Sequence, residues 1–299
     1  MPALTGPTAR LRLPTVVERY DAEPWLAARD SLGESPRYDE RSHAVRWIDI
    51  DAGERRRATL GATTFTSQAF GAPLGAHELG VRADAVAVGG GWFEINRADG
   101  HCHRIADLGH PGMRFNDSGI DSWGRLWSAT MREDEVTTGE PAGTLQLLAE
   151  GSLVTKLEGL TAGNGLAWTP EGDFLFLVDS GPDRLLRIPF DPVAAALGTP
   201  EVWLESAGAI DGITIDSAGG VWAAVWGAGE LRRYDAGGSL TAVVRVGADQ
   251  VTSACFTGPH LRTLVISTAA RDDPSEMAGS LFRVNVPIPG RPNQLWRGC

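Results

Sequence analysis

The chain has 299 residues, 42% of them hydrophobic, 37 glycines and a formal net charge of −11. That acid excess excludes nucleic acid or an anionic membrane as partner, since both call for a basic face. Nothing approaches about 18 uninterrupted apolar residues, which excludes a membrane-spanning helix. Cys102, Cys255 and Cys299 lack CxxC spacing, so no disulfide framework is predicted and the expected setting is the reducing cytoplasm.

In chain order, Met1–Pro14 reads as an irregular tail without an apolar leader. Thr15–Tyr20 reads as a strand able to complete the last repeat and close a ring. Ala44–Ile50 is a strand, and Arg55-Arg56-Arg57, the one basic run, is expected as a solvated loop. His101-Cys102-His103 reads as an exposed hairpin, because no further ligands stand nearby to make it a transition-metal pair. Further strands are predicted at Arg125–Thr130, Phe174–Val178, Leu185–Phe190, Gly220–Val225, Leu231–Tyr234 and Leu261–Thr268. The only lysine, Lys156, leaves Schiff-base chemistry without support.

Three segments superpose without gaps: Asn116–Trp127, Asn164–Leu175 and Asp211–Trp222, whose starts lie 48 and 47 residues apart. A weaker copy opens at Glu34, and degenerate ones lie near His77–Val88 and Thr252–Thr257. A period of about 40–50 residues with roughly four strands is a propeller blade. The chain is therefore read as all-β, a single six-bladed β-propeller spanning 1–299 with a central channel.

Glu34, Asn116, Asn164 and Asp211 each stand at the start of a strand, and equivalent positions in a ring face one axis. Two carboxylates and two amide oxygens make a hard-oxygen site for one divalent ion, Ca²⁺ foremost, then Mg²⁺ or Mn²⁺, with Zn²⁺ less favoured. Asn and Asp alone would suit a turn, but Glu34 is a poor turn former, so a channel-facing role accounts for all four. Asp39, Asp121 and Asp216, five positions further on, read as structural turn formers. Trp127, Trp222 and Trp168 are expected to pack between blades, and Trp226 to lie near the channel.

Leu32–Pro36, Trp47–Ile50, Arg114–Asp117 with Gly124–Met131, Gly163–Trp168, Val178–Ser180 and Ile210–Ile213 together span residues 32 to 268. In order and spacing they resemble the SMP-30/gluconolactonase/luciferin-regenerating-enzyme-like family, which includes regucalcin. The resemblance implies a metal held by Glu34, Asn164 and Asp211, with Arg114 and Asn116 contacting the substrate. An acid about twenty positions after the arginine would assist; Asp134 is taken for it, with Glu133 adjacent. The chain departs where Gly-Glu-Ser-Pro replaces the commoner Gly-Glu-Gly-Pro, and residues 61–91 carry few familiar positions. The loops at 71–78 and 131–141 set the pocket and leave the preferred substrate open.

The expected activity is metal-dependent opening of a small cyclic ester, foremost an aldonolactone. A bound ion would polarise the carbonyl, and Asp211 would take a proton from the attacking water and return it to the ring oxygen. Motifs of serine esterases, zinc proteases and nucleotide-binding loops are absent. Two alternatives stand beside it: another metal-dependent ester or phosphotriester hydrolase on the same scaffold, and a non-catalytic calcium-binding propeller.

Overall fold

The computed structural model describes residues 16–134, 139–205, 207–271 and 273–298. The tail Met1–Pro14 lies outside them. The described residues form six sheets and no helix, so none is long and apolar enough to cross a membrane. The protein is a six-bladed β-propeller.

Short strands rich in β-branched and aromatic residues, cut by Gly, Asp and Asn turns, pair antiparallel in chain order within each blade. The innermost strands of blades 1 to 6 are Gly33–Asp39, Leu74–Glu78, Met113–Ile120, Gly163–Trp168, Ile210–Ile215 and Val251–Thr257. Each packs beside the next, and the last returns to the first. The approach is close: a Cβ at Gly165 would stand 2.6 Å from the Ile213 nitrogen in the next blade.

Closure of the ring differs from the sequence expectation. The segment near Tyr20 forms Glu18–Asp21, which pairs parallel with Leu240–Arg245 at the edge of blade 5, not with the last blade. Blade 6 is instead completed by Glu23–Leu26, antiparallel to Leu281–Asn285. One residue separates the two strands, so a short run covers two open edges.

Six apolar clusters fill the six wedges between neighbouring blades. Trp127 meets Trp168 at 6.2 Å and 61° and Phe190 at 5.6 Å, and Trp222 meets Phe256 at 6.3 Å and 84°, the edge-on geometry aromatic rings prefer. The recurrent aspartates are turn formers, as expected. Asp216 accepts from the Ala218 and Gly220 backbones at 3.0 and 2.9 Å and from the Trp222 indole at 3.0 Å. Asp121 repeats this with Trp123, Arg125 and Trp127, and Asp39 accepts from the Arg41 backbone.

The basic run is not a solvated loop. It lies in the strand Glu54–Thr59, and the Arg55 and Arg56 residues are buried. Arg55 pairs with Asp84 at 2.7 Å, and Arg56 bonds Asp30 and the Ala28 carbonyl. A buried guanidinium needs a charged partner, and the aspartates that provide it are distant in sequence.

The last segment, Pro289–Arg297, crosses the channel end where the inner strands finish and bonds to every blade. Pro289 O accepts from Ser217 (blade 5), Gly290 N donates to Leu261 (blade 6), and Arg291 donates to Thr169 O (blade 4). Asn293 donates to Tyr38 O (blade 1), Trp296 exchanges backbone bonds with Leu79 and Val81 (blade 2), and Arg297 N donates to Gly124 O (blade 3).

Candidate active site at the open channel mouth

All six inner strands break register at the same level. The shifts fall at Glu34/Arg37, Leu74/Ala76, Phe115/Asp117, Gly163/Leu166, Ile210/Ile213 and Val251/Ser253. A bulge turns an extra residue out of the ladder and re-aims its side chain. Glu34, Asn116, Asn164 and Asp211 lie at or inside these bulges. This repeated irregularity, invisible as a residue type, is what delivers them to one point.

They line a cavity of about 380 Å³ at the mouth where the inner strands begin, together with Arg114, Ser180, Trp226 and Arg271. Asn164 Nδ2 donates to Ser180 Oγ at 3.2 Å and to Asp211 Oδ1, and Ser180 Oγ donates to Ile210 O at 2.7 Å. The amide is thereby oriented, with Oδ1 left for a ligand. Asn116 is committed differently. Its Oδ1 accepts from Arg114 at 2.6 Å, and its Nδ2 donates to Gly163 O at 3.0 Å. The four equivalent positions thus separate into three possible ion ligands, Glu34, Asn164 and Asp211, and an Arg114–Asn116 pair beside them.

Glu34 Oε2 accepts from the Ser35 backbone at 2.7 Å, and Ser35 holds a left-handed φ of 48°. His77, wholly buried, donates from Nε2 to Ser35 O at 2.7 Å; burial and the nearby Arg55 and Arg37 hold its pKa well below the ordinary value, so the ring is neutral. Just below, Asp117 contacts Arg37 at 3.5 Å, and Arg37 contacts Glu78 at 3.0 Å.

Burial, then the charges of Asp211 and Asp117, push the Glu34 carboxyl well up. Burial and Asp117 push Asp211 up to about 7, and burial pushes Asp117 to about 6 against the pull of Arg37. The cavity is lined by two carboxyls, Glu34 and Asp211, and by Arg114 and Arg271, the last paired with Asp51, while Arg37, Glu78 and Asp117 line a separate pocket further down the channel. The two carboxyls match the charge of one divalent cation. Among the described residues no three His, Cys, Asp or Glu side chains form a metal-holding group. The donor set that fits is two carboxylates and one amide oxygen, a set for a hard ion.

Asp134 is not brought to the cavity. It is half-exposed and bonded to Arg132 at 2.7 and 2.9 Å, which holds its pKa down. Its neighbour Glu133 is the acid whose charge bears on Arg114, alongside Asp51 and Asp211. Trp226 lines the cavity, as expected. Ser180, Met131, Ile50 and Arg271 line it too and were not singled out from the sequence. The strand-end position shared by Ile50, Met131, Ser180 and Trp226 was the signal that could have found three of those four. His101–His103 lies at the outer edge of blade 2, away from the cavity.

Residues 32–270 match a family model described as SMP-30/Gluconolactonase/LRE-like region. The chain is 28% identical over 291 residues to the pentonolactonase XacC of Haloferax volcanii, covering 87% of this chain and 93% of that one. It is 27% identical over 282 residues to a 6-deoxy-6-sulfogluconolactonase of Pseudomonas putida, covering 89% and 95%. A crystal structure of a calcium-binding protein, regucalcin, from Agrobacterium tumefaciens superposes with a TM-score of 0.89 at 27% identity, covering 96% and 100%.

Proposed function

The chain belongs to the SMP-30/gluconolactonase/LRE-like family, and from that premise we propose that it is a metal-dependent hydrolase that opens a sugar lactone. The observation that carries the reading is the meeting of two carboxyls and an amide oxygen, a set for a hard ion, with an arginine–asparagine pair in one open cavity. A pure ion site gains nothing from a neighbouring guanidinium, whereas a substrate carrying oxygens does.

Glu34, Asn164 and Asp211 would hold the ion, with Ca²⁺ the first candidate by donor type. When bound, such an ion supplies a Lewis acid for the ester carbonyl. Asp211 takes a proton from the attacking water and returns it to the ring oxygen as the C–O bond breaks, so that one water is consumed and one hydroxy acid leaves. Arg114, tethered to Asn116, orients the ring. Cys102 and Cys255 are free thiols, in keeping with a role in the reducing cytoplasm.

The test is hydrolysis of aldonolactones followed by pH indicator, with metal-stripped protein and with Ca²⁺, Mg²⁺, Mn²⁺ or Zn²⁺ restored. Turnover is expected only with metal and is lost in Asp211→Ala. Folded, metal-loaded protein that opens no lactone would overturn the reading.

A further inference from the structure

Two residues before each site residue, strand alternation turns the next side chain to the same face. Those positions are Leu32, Arg114, Ala162 and Ala209, and all four line the cavity. The ends of the second strands in the same four blades add Ile50, Met131, Ser180 and Trp226. The tier above the ion ligands is therefore apolar except at Arg114 and Ser180. Ser180 Oγ is engaged between Asn164 and Ile210 O, and Arg114 bonds Asn116 Oδ1 and, at 3.1 Å, Phe115 O, both from Nη1, which leaves its other nitrogens to the part of the ring it orients. Half-exposed Arg271, bonded to Asp51 at 2.8 Å, also lines the cavity.

Leu32, Ile50, Met131 and Trp226 are the apolar part of the lining that the remote edge of a ring would meet with its carbonyl at the ligands. A hydroxyl on that edge would give up water without finding a partner, whereas hydrogen or methyl would gain from the contact. We propose that the site selects lactones whose edge remote from the carbonyl is deoxygenated, carrying hydrogen or methyl in place of hydroxyl. This rests on the lactonase reading and narrows it.

The experiment compares kcat/KM of the metal-loaded protein on gluconolactone, on rhamnonolactone, which ends in a methyl group, and on δ-hexalactone, which has a methyl group and no hydroxyl. The two methyl-bearing rings are expected to be favoured by about tenfold to a hundredfold, the discrimination an apolar pocket achieves against an added hydroxyl. Trp226→Ala should lower kcat/KM for δ-hexalactone about tenfold more than for gluconolactone, and Met131→Gln, which adds hydrogen-bonding capacity, should narrow the ratio. Thermal unfolding of each variant establishes that it is folded, and either one alone suffices. Gluconolactone favoured, or a ratio unmoved by a folded variant, would sink the inference while leaving lactone hydrolysis standing. No turnover on any of the three would remove the lactonase reading and this inference with it.

Discussion

The two ends of the channel are built on opposite terms. Where the inner strands begin, the buried carboxyls of Glu34 and Asp211 are crowded together and both are pushed toward their protonated forms. Where the inner strands finish, Pro289–Arg297 meets one blade after another, and Trp296 is 2% exposed in the wedge between blades 2 and 3. A Cβ at Gly124, whose φ is 78°, would stand 2.5 Å from Arg297 Cγ, so the strap is closely seated. The ring is fastened at one end, which lets the other keep unmatched charge for a ligand. Stability given up at a functional site is offset by packing elsewhere.

The largest effect should come from loosening the fastened end. Trp296→Ala empties a fully packed wedge and is expected to cost about 3–5 kcal/mol in urea unfolding. Metal affinity by titration calorimetry should stay unchanged. If affinity fell in step with stability, the two ends would be coupled and the contrast broken.

A second test uses a buried acid outside the ligand set. Burial, with repulsion from Asp49, pushes Asp30 up to about 7 despite Arg56 and Trp47. Its folded pKa lies above the unfolded one, so between about pH 4 and 7 the unfolded state releases the proton while the folded state keeps it. Stability should fall across that window and level off above it. In metal-saturated protein, Asp30→Asn should abolish a fall of about 4 kcal/mol. An unchanged profile would assign the fall to other groups. Asp84 behaves oppositely: Arg55 and Arg46 overcome its burial and bring it down to about 2, so its contribution is lost only as pH drops from about 4 toward 2.

At the open end, Asp211→Asn removes one of the crowded charges. The metal-free protein should become more stable, because a repulsion is relieved. It should also lose the ligand-linked stabilisation, about 2.7 kcal/mol at a hundredfold excess of metal over Kd. Differential scanning calorimetry with and without Ca²⁺ reads both. A variant less stable without metal would mean that Asp211 is structural, and the contrast between the two ends would weaken.

The repeat and its polar register were legible in the sequence because the blades share one pattern of turns and inward positions. Glu34, Asn116, Asn164 and Asp211 followed from counting, and the family resemblance singled out Glu34, Asn164 and Asp211 among them. What stayed hidden depended on partners distant in the chain. Arg55 and Arg56 looked solvated because Asp84 and Asp30, which bury them, lie 29 and 26 residues away. The strand near Tyr20 was visible, but its choice of blade 5 over blade 6 is set by Leu240–Arg245, more than two hundred residues on. The difference between Asn116 and Asn164 lay in Arg114, whose guanidinium reaches back to occupy one amide oxygen and not the other.

The finest test concerns two adjacent acids. After Arg132 the chain leaves the ladder, and neighbouring side chains there point apart, so counting to within one residue cannot choose between Glu133 and Asp134. The structure separates them: Asp134 is paired with Arg132, while the charge of Glu133 reaches Arg114. Glu133→Gln should therefore alter kcat/KM for lactone opening several-fold, the scale of losing one charge beside a binding arginine. Asp134→Ala should leave it within error. The reverse result would mean that Asp134 turns inward when substrate binds, and the open end would then be a mouth that rearranges around its ligand, unlike the strapped end.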